Sequence, residues 1–144
     1  MGMDTATAER LAIRELIENW VLWRDAGDWD RFATVWHDDG WMTATWFQGS
    51  ARDFIAVSRE GFDKGVSILH FLGGFTCDVN GNRAISQVKM TINQRAEVDG
   101  VLVESSAPGA STTSSKSGKA AGASCGDNRS TRRIGWIPSI PPRA

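Results

Sequence analysis

Two short turns constrain this chain more than any other feature. Asn80-Gly81-Asn82 and Val98-Asp99-Gly100 carry the Asn-Gly and Asp-Gly pairs that reverse a strand tightly, because these residues accept left-handed backbone angles at low cost. They separate three runs rich in apolar and β-branched residues, Ser67–Val79, Arg83–Arg95 and Val101 to about Val103. Runs of this kind joined by such turns predict an antiparallel meander. Gly73-Gly74, inside the first run, predicts a bulge or bend, so the sheet should curve.

Upstream of the meander the period changes from two to between three and four. Leu11, Ile13, Leu16, Ile17, Trp20 and Val21 recur at helical spacing within residues 5–26, with Arg10, Arg14 and Glu18 mostly opposite, which predicts an amphipathic helix. Gly27 is placed to stop it, and Asp28 to cap a second helix from Trp29 to Trp36. Asp38-Asp39-Gly40 predicts a turn into a strand over Trp41–Phe47, and Ala51–Lys64 suits a third helix with Phe54, Ile55, Val57 and Phe62 on one side. Three helices with a curved antiparallel sheet make an α+β domain.

The 144 residues give room for one domain with a core of its own. A charged fraction of 23% and a net charge of −1 exclude a strongly basic nucleic-acid binder. No apolar run approaches the roughly 20 residues that span a bilayer, and MGMDTATAER lacks the basic start and apolar middle of a signal peptide. Cys77 and Cys125 are too few for a metal cluster or a disulfide framework. The expectation is a soluble, cytoplasmic protein with no metal, no nucleic-acid partner and no membrane partner.

The average charge hides a break. Residues 1–104 hold 10 Lys/Arg against 16 Asp/Glu, whereas residues 105–144 hold 6 against 1, together with all 4 prolines. The second stretch is dominated by Ser, Gly, Ala, Thr and Arg, which bury too little apolar area to offset ordering entropy. Residues 1–104 are therefore expected to be the domain, and 105–144 a disordered, low-complexity basic tail. A frame-shifted reading gives the tail another origin. One frame over, Ser111-Thr112-Thr113-Ser114-Ser115-Lys116 can encode an aromatic, alternating, strand-like segment, and the stretch from Arg133 to Pro141 an acidic terminus. On this reading a slip near Val103 to Ser106 replaced the native ending, and the C-terminal strands of the sheet are missing or irregular.

The order helix–helix–strand–helix–long hairpin resembles the SnoaL-like branch of the nuclear-transport-factor-2-like superfamily. The resemblance rests on Ile13-Arg14-Glu15-Leu16-Ile17 with Asp25 at the helix end, and on Val35-Trp36-His37-Asp38-Asp39-Gly40. It continues through His70 in Ser67-Ile68-Leu69-His70-Phe71-Leu72-Gly73 and through Asp78-Val79-Asn80-Gly81-Asn82-Arg83-Ala84, covering residues 8 to about 103. It implies a cystatin-like cone of helices and curved sheet around an apolar cavity. Relatives implied by it include scytalone dehydratase, hexachlorocyclohexane dehydrochlorinase, polyketide cyclases and non-catalytic binders. For the dehydratase and dehydrochlorinase type it further implies a cofactor-independent lyase or isomerase in which His70 is the general base and Asp25 orients and charges it.

The residue types suit that chemistry. A neutral imidazole takes up a proton near pH 7, and a buried carboxylate fixes its tautomer and stabilises the imidazolium. Without the resemblance, Asp25 reads equally as a capping residue and His70 as a core side chain. Trp20, Trp23, Trp41, Trp46 and Phe71 are candidates to line a cavity for a small hydrophobic, cyclic molecule, and equally ordinary core. Lys89 shares one strand face with Gln87, opposite Ser86, Val88 and Met90, and which face looks inward is open at this point. The rival to an enzyme is a module that binds a hydrophobic ligand or associates with copies of itself through the sheet, or an inactive frame-shifted product. No P-loop, GxGxxG, HExxH or GxSxG is present.

Overall fold

The computed structural model describes residues 2–116 and 119–127, with side chains described to Gly109. Helix α1 runs from Thr5 to Ala26, and its N-terminus is closed by the Asp4 side chain, which accepts from the Thr7 backbone N–H at 2.9 Å. Gly27 ends it in the left-handed region at φ 71°. A Cβ at Gly27 would stand 2.7 Å from the Phe62 ring, so conformation and packing both require glycine there. Helix α2 spans Trp29–Thr34 under an Asp28 cap, and helix α3 spans Ala51–Asp63 under a Ser50 cap.

The strands are β1 (Trp36–Thr43), β2 (Gln48–Ser50), β3 (Ser67–Asn80), β4 (Arg83–Val98), β5 (Val101–Lys116) and β6 (Lys119–Asp127). They form one sheet in the order β2-β1-β6-β5-β4-β3, antiparallel except for the parallel β1–β6 pair. The register of β3 on β4 slips between Leu72 and Phe75, at the predicted Gly73-Gly74 bend. Helix α1 lies against β3, with Ile13 and Ile17 packed into a core with Cys77, Ala84, Val88 and Met90. A second core gathers Phe32, Val35, Trp36, Met42, Ala51 and Phe54 from α2, β1 and α3.

One expectation is corrected and one is narrowed. Asp38-Asp39-Gly40 is not a turn but lies within β1, which begins at Trp36 and so shortens α2. The buried Trp36 side chain and its backbone pairing with Ala120 hold this segment in the sheet. Of the two alternatives for the closing strands, missing or irregular, the strands are present and irregular, with register shifts in the β1–β6 and β5–β6 pairs. Val101–Lys116 continues through Glu104 as β5, paired with β4 from Val98↔Val101 to Arg83↔Lys116, and β6 follows. The backbone groups along β4 that β3 leaves unpaired supply the template. Among the described residues the sheet thus runs on past Glu104. Residues 117–118 and 128–144, including the alternative ending over 133–141, lie outside the described residues.

Candidate active site

Helix α1 and strand β3 bring Asp25 and His70 together. Ile13, Ile17, Val21 and Arg24 form the buried stripe of α1, and Asp25 follows on its edge, one turn beyond Val21. On β3 alternation puts Ile68, His70 and Leu72 on the inner face and Leu69 and Phe71 on the outer. The Asp25 carboxylate spans the gap between the two elements. Its Oδ2 accepts from the His70 backbone N–H at 2.6 Å, and its Oδ1 lies 2.7 Å from His70 Nδ1. Both side chains are nearly buried, at 7% and 12% exposure for His70 and Asp25. Such a two-point hold fixes the position of the strand and the angle of the ring at once. Trp20 packs edge-on against the imidazole, ring centres 5.6 Å apart.

This pair opens onto a cavity of about 260 Å³. Its walls come from α1 (Trp20, Arg24), from Met42 and the following Ala44, Thr45 and Trp46, from Phe54 of α3, and from the inner faces of β3, β4 and β5. The wall is mostly apolar, with His70, Arg24, Thr45, Gln94 and Ser105 as its polar members. That composition is what a small, largely hydrophobic ligand needs.

The remaining candidates divide. Trp20 and Trp46 line the cavity. Trp23 instead packs against the Phe32 core. Trp41 is on the outer side of β1, with Met42 turned inward in its place. Phe71 is exposed on the outer face of β3, and Lys89 on the outer face of β4, where Val88 and Met90 take the inner positions. These four are not cavity residues, because alternation sends a strand neighbour of each inward position outward and Trp23 faces the helical core.

Arg24 is the charged wall residue that the sequence reading missed, beside the polar Thr45, Gln94 and Ser105. Burial pushes its guanidinium pKa down while neighbouring Asp25 acts in the opposite direction. A signal was present, since Arg24 continues the Ile13–Ile17–Val21 stripe at helical spacing, and a charged residue on an apolar stripe needs a reason.

Among the described residues no group of three or more His, Cys, Asp or Glu side chains could hold a metal ion. No helix among them is long and apolar enough to cross a membrane.

A curved sheet wrapped over three helices, with a buried Asp–His pair at the mouth of an apolar cavity, defines a cystatin-like α+β cone. The chain belongs to the SnoaL-like domain family, whose model matches residues 5–113. It is 42% identical over 102 residues to pea pathogenicity protein 2 of Fusarium vanettenii, across 69% of this chain and 44% of that protein. An uncharacterized protein from Emericella nidulans is 38% identical over 109 residues, across 74% of this chain and 46% of its own length. The chain thus spans less than half the length of these curated relatives. In fold it is similar to an NTF2-like protein with a cystatin-like fold from Novosphingobium aromaticivorans, with a TM-score of 0.63 at 24% identity over 91% of this chain and 95% of the other. It is also similar to a candidate dehydratase of the NTF2-like family from Streptomyces avermitilis, with a TM-score of 0.70 at 14% identity over 85% and 98%.

Proposed function

We propose that the site is a general-base centre of a cofactor-independent lyase or isomerase acting on a small, hydrophobic, cyclic substrate. The observation that carries this is the 2.7 Å contact between Asp25 Oδ1 and His70 Nδ1 at the wall of an apolar cavity. With Nδ1–H donated to the carboxylate, Nε2 is the basic nitrogen of the neutral ring. It takes a proton from substrate carbon, and Asp25 stabilises the resulting imidazolium. The apolar wall keeps the nucleus of the reaction dry, which strengthens both interactions.

The test is base-catalysed exchange of the α-protons of 1-tetralone in D₂O, followed by mass spectrometry. The wild-type protein should catalyse exchange, and His70→Gln should lower the rate about 10²- to 10⁴-fold. Equal rates in the two proteins would overturn the reading.

A second reading is favoured by a different surface. Leu69 and Phe71 stand 47% and 59% exposed, two residues apart on the outer face of β3. Exposed apolar side chains side by side on a sheet fit association with a second copy of this chain. Analytical ultracentrifugation should find an oligomer for the wild type and a monomer for Phe71→Lys. A wild-type monomer would remove this reading.

A further inference from the structure

Arg24 is 6% exposed and lines the cavity. Its ionic neighbour, Asp25 Oδ1, stands 3.8 Å from Nη1, beyond hydrogen-bond reach. Asp25 is already committed, since both of its oxygens serve His70. Among the described residues no Asp or Glu lines the cavity that Arg24 helps to form. Among the described residues the buried indole N–H of Trp20, another wall residue, is without a partner. A buried cation costs stability unless a negative group meets it, and arginine keeps its charge at any physiological pH. A negatively charged oxygen bound in the cavity would meet that need.

We infer that Arg24 holds the oxygen of an enolisable carbonyl substrate and receives the negative charge that forms there. The inference rests on the general-base reading above and adds to it a substrate class. His70 Nε2 takes the α-proton, and the C–H electron pair moves through the α-carbon onto the carbonyl oxygen. The enolate oxygen accepts hydrogen bonds from the guanidinium. Collapse of the enolate then either expels a leaving group from the β-carbon or returns a proton at another carbon. The imidazole and the guanidinium both line this cavity, so one substrate carbonyl and its α-carbon can be addressed together. A donor placed where charge develops favours the enolate over the ketone, which is the condition for acceleration.

The probe is 2-naphthoate, a flat bicyclic anion whose carboxylate stands in for the enolate, against its neutral isostere 2-naphthamide, each titrated calorimetrically. The wild-type protein should bind the anion at least about tenfold more tightly, the preference that a charge-assisted hydrogen bond gives. Arg24→Met should bring the two affinities level, while Arg24→Lys, which keeps the charge, should retain part of the preference. Equal affinities in the wild type, no binding of the anion, or an unchanged preference in Arg24→Met would each overturn the inference. If Arg24→Met does not fold, the wild-type and Arg24→Lys titrations decide it. His70→Gln separates the two claims. Lost exchange with an intact Arg24-independent profile of the probes overturns the role of Arg24 alone. An anion preference that persists while exchange is equal in wild type and His70→Gln overturns the base alone.

Discussion

The inner and outer faces of β3 and β4 are made by the same residues in alternation, yet they have little in common. Inside, His70, Cys77, Val88 and Met90 meet α1 or the cavity. Outside, Leu69, Phe71, Ile85 and Lys89 meet solvent. Both faces carry large apolar residues, so hydrophobicity alone does not distinguish them. The side on which α1 lands distinguishes them, and a shift of one residue in register would exchange every side chain between the two.

The strongest break of this contrast is Met90→Lys, which would put an unpaired charge at a 6% exposed position and should cost about 3–5 kcal/mol in chemical denaturation. Val88→Ala, one inward position earlier and 1% exposed, should cost about 2 kcal/mol, through lost burial and a residual void. Lys89→Ala, between these two in sequence but on the outer face, should stay within about 0.5 kcal/mol of the wild type. A cost at Lys89 comparable to that at Val88 would mean that the assignment of faces is wrong.

The smallest effect sharpens the comparison without any substitution. Cys77 is 3% exposed on the inner face, and burial raises its thiol pKa above the ordinary value. The reactive thiolate is therefore scarce and sheltered. Peptide-resolved alkylation with iodoacetamide at pH 8 should leave Cys77 unmodified in the folded protein and modify it once denaturant is added. Rapid labelling without denaturant would contradict the burial.

Much of the frame was legible in the chain. Helix α1 was predicted at 5–26 and is found at Thr5–Ala26, because a long amphipathic period and a terminal Gly27 agree with one another. The β3–β4 hairpin followed from Asn80-Gly81-Asn82, and the bend from Gly73-Gly74. Less legible was any strand that lacked its own apolar pattern. β5 beyond Glu104 and β6 are built from residues with weak strand preference, and their pairing is supplied by backbone groups on neighbouring strands. Composition contains no record of an edge waiting to be filled.

The candidate site divides in the same way. Asp25 and His70 were singled out through a family resemblance, since 45 residues separate them and nothing local joins them. Trp20 and Trp46 reach the cavity, while Trp23, Trp41, Phe71 and Lys89 turn elsewhere. Aromatic content does not encode direction. Arg24 went unremarked although its place on the apolar stripe was visible, because a cation is ordinarily read as solvent-facing.

The sequence by itself determined where α1 and the β3–β4 hairpin start and stop, since caps, turns and periodicity act over a few residues. It also set the class of fold, because an amphipathic helix and a curved meander must cover each other's apolar faces. The tertiary structure alone decided which side of each strand is inside, how β5 and β6 complete the sheet, and that Asp25, His70 and Arg24 share one corner. Those outcomes depend on register and on contacts between distant segments, and a one-residue change in either reverses the direction of a side chain while leaving every local signal intact.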